Sequence, residues 1–216
     1  MPSSAESRAR PSRHLRLYDQ QLASYETRQA RSPDPQYMID AGPRRPTCDL
    51  GLSAPHHKMA VQMAQMAKSQ AQHPAVKTLA ASIITSQDHE ITEMTAIARK
   101  LGVMPDQMPV NGSMSAHMAG DDQTLGLSMQ QTGMSMNMST LNGAKPFDRM
   151  FIDMMIPHHQ GAIRMARIEL AKGSDQRLRS IAHGIIAAQA SEIGRMNAWR
   201  NTWFGASSPA GGVPTA

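Results

Sequence analysis

Two blocks of this chain repeat each other at a constant offset of 102 residues, and no gap is needed to align them. The first opens His56-His57-x-x-Ala60-x-x-Met63-Ala64 and closes Gln87-x-x-Glu90-Ile91-x-x-Met94. The second opens His158-His159-x-x-Ala162-x-x-Met165-Ala166 and closes Gln189-x-x-Glu192-Ile193-x-x-Met196. Over 56–94 against 158–196, 12 of 39 positions are identical. The shared residues include His, Met, Gln and Glu as well as apolar ones. A chain built this way is constrained to two copies of one helical unit, each carrying candidate metal ligands.

Periodicity supplies the helices. Ser53 is the expected N-cap of a first helix over about 54–71, with Pro55 in its first turn. His73-Pro74 marks a turn, and a second helix runs to about Leu101, where Gly102 and Pro105 stop it. Its seam reads Val76, Leu79, Ile83, Gln87, Glu90, Met94, Ile97, Leu101, in the alternating threes and fours of a core-facing stripe. A third helix spans about 146–172, with Phe147, Phe151, Met154, His158, Met165 and Glu169 on one face and Pro157 expected to kink it. Gly173 ends it and Ser174 is the expected cap of the fourth. The fourth seam repeats the second: Leu178, Ile181, Ile185, Gln189, Glu192, Met196, Trp199, Trp203. These elements predict an all-α fold, an antiparallel four-helix bundle of two repeated helical hairpins with one long crossover connection. The bundle is expected over 50–204, as repeat 1 (52–101), a Met-rich connection (102–145) and repeat 2 (146–204). Residues 1–49, rich in Arg and Pro, and 205–216 read as disordered extensions.

Composition narrows the function. Cys48 is the only cysteine, which excludes an intrachain disulfide framework, a Cys-based zinc site and an iron–sulfur cluster. The net charge of +5 comes with no basic stripe and few aromatics, so no nucleic-acid partner is expected. No apolar run reaches transmembrane length, so no integral membrane segment is expected, and residues 1–49 show no signal-peptide core. Nothing resembles a catalytic nucleophile: Cys48 lies among prolines, and no Ser sits in a nucleophile elbow. Di-iron oxidase chemistry needs Glu-x-x-His on two helices, and no Glu here is followed three residues later by His.

The metal candidates remain. Met154 and His158, and Met155 and His159, are i,i+4 pairs, which places each thioether beside an imidazole on the third helix. Imidazole accepts Cu(II) or Cu(I), and thioether selects the softer Cu(I). The first helix offers His56, His57, Met59, Met63 and Met66, but has Leu52 and Ser53 where the second block has Met154 and Met155. The two sites therefore cannot be equivalent. Gln87, Glu90, Gln189 and Glu192 occupy core positions and need partners. Helical phase suggests that His56 faces Glu90 and His158 faces Glu192, a structural pairing, while His57 and His159 point about 100° away and are freer to bind. Met63, Met94, Met165 and Met196 pack readily as core filler.

The connection adds Met104, Met108, Met114, Met118, Met129, Met134, Met136 and Met138, plus His117. Few other apolar residues accompany this run, so core packing is not its expected explanation. Met134, Met136 and Met138 fall on every second residue and read as flexible thioether donors. The competing reading is a low-complexity linker.

The string Met154-Met155-x-Pro157-His158-His159-Gln160-x-Ala162-x-x-Met165-Ala166, followed by Gln189-x-x-Glu192-Ile193, resembles the domain of unknown function 305 family over roughly 52–204. The resemblance implies a ferritin-like bundle, frequent export to the periplasm or beyond, and in some members copper binding and copper tolerance. It implies copper at Met154, Met155, His158, His159 and Met165, with His56, His57 and Met63 in the first half. The leading expectation is thus a non-catalytic copper-binding protein for sequestration, delivery or tolerance, with copper ion as cargo and no protein partner specified. The alternatives are a helical interaction module whose His–Glu pairs are structural, and a metal-dependent oxidoreductase.

Overall fold

A computed structural model of the chain describes residues 50–102 and 126–215. The expectations for 1–49, and for Met104, Met108, Met114, His117 and Met118, lie outside the described residues. Every element among the described residues is a helix: α1 (Leu50–Gln70), α2 (Pro74–Lys100), the one-turn α3 (Met138–Leu141), α4 (Phe147–Lys172) and α5 (Gln176–Phe204). Helix α1 packs along α2 and α4 along α5, and the two hairpins meet through α1 against α4 and, less extensively, α2 against α5. No described helix is long and apolar enough to cross a membrane.

The core follows the seams. On α1, Ala60, Met63, Ala64 and Ala67 are fully buried at helical spacing. The expected stripes of α2 and α5 are buried through Ile97 and Met196, respectively. Two apolar clusters result. The larger contains Met63, Leu79, Ile83, Phe147, Phe151, Met155 and Met196. The smaller contains Met94, Ile97, Leu170, Leu178, Ile181 and Ile185.

Helix termini depart from expectation in two places. Helix α1 begins at Leu50, so Ser53 is not its cap and Pro55 lies inside it. Pro157 lies inside α4, as expected, and the helix spans Phe147 to Lys172. Both prolines precede the double histidine at the same repeat position. Asp175, not Ser174, caps α5 by accepting from the backbone N–H groups of Arg177 (2.9 Å) and Leu178 (3.2 Å). Burial alone would raise the Asp175 carboxyl, but the Leu178 N–H, the Arg177 side chain and the Arg177 N–H outweigh it and hold its pKa below the usual value. A carboxylate answers the partial positive charge of a helix N-terminus better than a hydroxyl does.

The connection and the tail are more ordered than their compositions suggest. Met134 is 4% exposed and belongs to the larger cluster, and Met129, Met136 and Met138 pack against it. Core packing therefore does account for this part of the Met-rich run. Residues 205–215, expected to be disordered, lie against α4 and α5. Gln160 donates to the carbonyls of Ala210 (2.8 Å) and Gly212 (2.6 Å), Arg167 to Pro214 (2.8 Å) and Asn197 to Gly211 (2.7 Å). Polar side chains of the helices thus satisfy the tail's backbone, which composition alone does not reveal.

One end of the bundle is tied by Asp148, buried in the first turn of α4. Its carboxylate accepts from the backbone N–H groups of Gln72 (2.9 Å) and His73 (2.8 Å), and from His73 Nδ1. The His73 ring stacks on Trp203, with centroids 3.7 Å apart and planes 2° from parallel. Three elements converge there: the α1–α2 turn, the start of α4 and the end of α5. Asp148→Ala should lower unfolding free energy by roughly 2–3 kcal/mol, the scale of lost hydrogen bonds to a buried charge. Urea denaturation checks this, and an unchanged midpoint would contradict the role of Asp148.

Candidate metal centre

Between the two apolar clusters lies a layer of eight polar side chains: His56, His57, Gln87, Glu90, His158, His159, Gln189 and Glu192. None is more than 7% exposed. Pairing within the layer reverses the expectation from helical phase. His57 Nε2 lies 2.9 Å from Glu90 Oε2, and His159 Nε2 donates to Glu192 Oε2 at 2.7 Å. His56 and His158 instead face each other across the contact between hairpins, ring centroids 3.7 Å apart and planes tilted by 32°. The physical reason is that each helix has two buried sides here. The first histidine of each pair turns to the opposite hairpin, and the second turns to its own hairpin partner, 33 residues on.

Hydrogen bonding fixes the tautomers. His56 Nε2 meets the carbonyl of Thr132 at 3.0 Å, and His158 Nε2 meets the carbonyl of His56 at 3.0 Å. A carbonyl only accepts, so both Nε2 atoms carry hydrogen and each neutral ring keeps its lone pair on Nδ1. The Nδ1 atoms of His56, His158 and His159 are buried and make no hydrogen bond among the described residues. His57 differs. Its Nδ1 lies 2.6 Å from the carbonyl of Ser53 while Nε2 is engaged by Glu90, so neither nitrogen is open. Of the two histidines expected to be free for binding, only His159 has an open nitrogen. His56 and His158, expected to be structural, each have one.

Most of the thioethers expected to serve as donors are buried. Met155 and Met63 are fully buried, and Met154, Met59 and Met165 are buried as well. Met154 and Met155 precede His158 and His159 by one turn on α4. Met134, Met136 and Met138 are held by packing. The carboxamides of Gln87 and Gln189 are buried and make no hydrogen bond among the described residues. No group of three or more His, Cys, Asp or Glu converges among those residues in a metal-ready cluster. Nitrogen and carboxylate donors alone therefore do not complete a site.

The connection closes over the histidines at two glycines, a contact that sequence reasoning missed. Gly133 has φ +74°, and a Cβ there would lie 2.4 Å from the Pro157 carbonyl oxygen and 2.7 Å from His158 Cα. A Cβ on Gly161 would fall 1.8 Å from the Thr132 carbonyl oxygen. Gly161 is the one signal available in the sequence: a glycine inside a helix costs about 1 kcal/mol relative to Ala and so marks a close approach. The equivalent position in the first repeat is Met59.

Burial shifts the central histidines. Desolvation first, then the neighbouring His57 and His159, lowers the pKa of His56 from 6.5 to about 3. Desolvation, then His56, His159 and His57, drives His158 well below 6.5. Both rings stay neutral in mild acid, which keeps their Nδ1 lone pairs available.

A family model described as domain of unknown function (DUF305) matches residues 53–210. The chain belongs to this family. Among solved structures, CopM in its Cu(I)-bound form is 31% identical, over 72% of this chain and 94% of that one, with a TM-score of 0.58. CopM in its Cu(II)-bound form is 30% identical over 72% and 95%, also at 0.58. A DUF305 fragment from Deinococcus radiodurans, 24% identical over 73% and 97% with a TM-score of 0.58, shares the fold. No curated protein matches the chain.

The histidine shifts carry a pH prediction. Because the folded-state pKa values lie below the unfolded ones, the unfolded chain binds protons first as pH drops. Stability should be complete above about pH 6.5 and fall progressively below it, by up to about 1.4 kcal/mol per pH unit for each histidine. Denaturant titrations of metal-free protein from pH 7.5 to pH 4 measure this. Stability independent of pH in that range would contradict the neutral buried pair.

Proposed function

We propose that this protein binds copper, as Cu(I) and also Cu(II), to sequester or carry it without turnover. The observation that carries the reading is the state of His158 and His159. Each donates Nε2–H to an acceptor, a backbone carbonyl or the Glu192 carboxylate, and presents a buried Nδ1 lone pair that no described group uses. That is the arrangement by which outer partners orient a histidine toward a metal. Thioethers of Met154 and Met155 one turn away supply the soft donors that select Cu(I). The Cu(I)- and Cu(II)-bound forms of CopM, at 31% and 30% identity, support copper as the cargo. An extracytoplasmic location, as the family resemblance implies, belongs to the same proposal.

A structural role for part of the layer also has a specific observation behind it. Both nitrogens of His57 are engaged, so this residue serves the hairpin rather than the ion. The proposed copper donors therefore centre on the second repeat.

Anaerobic Cu(I) titration against a chromophoric chelator tests the proposal. Wild type should compete with the chelator, and His159→Ala should weaken binding by at least about tenfold. Glu192→Gln should weaken it by about 10–100-fold, the range for partners that orient a ligand. Failure of the wild type to take copper from the chelator would overturn the reading.

The connection calls for a divided test. Removing 126–138 would take Met134 from the core and Thr132 from His56. Excising 104–125 alone should leave thermal stability intact and lower copper stoichiometry, since it removes Met104, Met108, Met114, His117 and Met118. Native mass spectrometry measures the stoichiometry, and an unchanged value would make that segment a plain linker.

A further inference from the structure

The proposed copper donors are sealed from solvent. His158, His159 and Met155 are fully buried, so an ion reaches them only when some covering element moves. Helices α4 and α5 are held by the apolar clusters. The connection is pinned by buried Met134 and by close backbone approach at Gly133 and Gly161. Residues 206–214 are held in a different way.

Side chains of both helices set their path. Gly205, at φ +79°, ends α5 in the left-handed conformation and turns the chain back. Arg200 donates to the Ala206 carbonyl at 3.0 Å. The Asn197 carboxamide accepts from the Ser208 N–H at 3.0 Å and donates to the Gly211 carbonyl at 2.7 Å. On α4, the Gln160 NH2 group donates to two strap carbonyls, Ala210 and Gly212, and Arg167 reaches Pro214. Along the strap, partners on α5 step back from 200 to 197 while those on α4 advance from 160 to 167. The strap therefore runs antiparallel to α5 and bridges it to α4. The His159–Glu192 pair joins the same two helices, and His159 immediately precedes Gln160.

The internal repeat shows that this cover is peculiar to one half. A shift of 102 residues replaces Gln160, Arg167, Asn197 and Arg200 by Lys58, Gln65, Thr95 and Ala98. Lys58 is exposed, whereas Gln160 is 7% exposed. The strap thus lies on the half in which the proposed donors centre.

Its apolar hold is small. Ala210 packs against the larger cluster, but Val213 is 42% exposed. The rest of the grip is mostly hydrogen bonds to backbone carbonyls, and water competes for each of them, so each stabilises little net. Segments held in this way open locally without global unfolding. Opening here admits water to Gln160, one residue from His159.

We propose that residues 206–214 form a releasable strap that sets how fast copper enters and leaves the His158–His159 site, without supplying a donor. The proposal rests on the copper-binding reading for its ion and adds the means by which a sealed site exchanges it. A cover is a barrier common to both directions. Its removal speeds uptake and release together and leaves their ratio, the affinity, nearly unchanged.

Two variants test it. One ends at Ser207, which keeps the Gly205 cap of α5. The other is full length and carries Gln160→Lys, Arg167→Gln and Asn197→Thr, the residues of the first repeat. Anaerobic stopped-flow exchange of Cu(I) with a chromophoric chelator should show uptake and release both faster by about tenfold in the truncated chain, with Kd within about twofold of wild type. The triple variant should move both rates in the same direction. Diethyl pyrocarbonate labelling of metal-free protein, read by mass spectrometry, should modify His159 faster in both variants and half-exposed His73 at its wild-type rate. Unchanged exchange rates in both variants, or faster release with unchanged uptake, would overturn the strap and leave the copper proposal standing. If wild type takes up no copper, the copper proposal falls and the labelling decides the strap alone: an unchanged His159 rate overturns it.

Discussion

The buried polar layer is the constraint around which the rest of this protein is arranged. Eight His, Gln and Glu side chains occupy the middle of the molecule between two apolar clusters. Such a layer is costly, because each polar group leaves water and recovers the loss only by finding a partner. The Glu residues find the second histidine of each pair, and the first histidines find backbone carbonyls. Within this layer, the atoms that make no hydrogen bond among the described residues are narrow in kind: three imidazole Nδ1 atoms and two carboxamides. Lone pairs held in that state suit a metal ion better than a packing role, for which an apolar residue would serve at lower cost.

The two repeats share a backbone plan and diverge in a few positions. Ser53 stands where the second repeat has Met155, Met59 where it has Gly161, and Ala67 where it has Glu169. The acceptor for His57 Nδ1 is the backbone carbonyl of Ser53, a group Met155 also carries, so the side-chain difference does not account for His159 Nδ1 making no hydrogen bond among the described residues. Gly161 admits the Thr132 backbone, which in turn holds His56. Duplication accounts for the fold, and substitutions such as Met59 against Gly161 make the surroundings of the two double histidines different.

Much of the fold was legible in the sequence, and the site only in part. The alternation of threes and fours in 76–97 and 178–196 located the core stripes, because burial of one helix face imposes that spacing. The same reasoning misassigned the histidines. Adjacent residues differ by about 100°, and a helix packed against two neighbours buries both directions, so periodicity cannot say which neighbour each one meets. Glu169 falls on the apolar face of its helix in the sequence, but nothing local marks Asp148 as buried, because its partners are in the α1–α2 turn some 75 residues away. The contacts of 126–137 and of 205–215 are made with residues remote in sequence, which composition does not reveal.

Long-range ¹H–¹⁵N correlation of the histidine rings, before and after Ag(I) or Cu(I) loading, reads the central claim directly. It reports which ring nitrogen is protonated and which is coordinated. The account predicts that Nδ1 of His158 and His159 shifts on loading while Nε2 of both keeps its hydrogen and His57 is unaffected. Coordination through Nε2, or ring signals that ignore the metal, would contradict it.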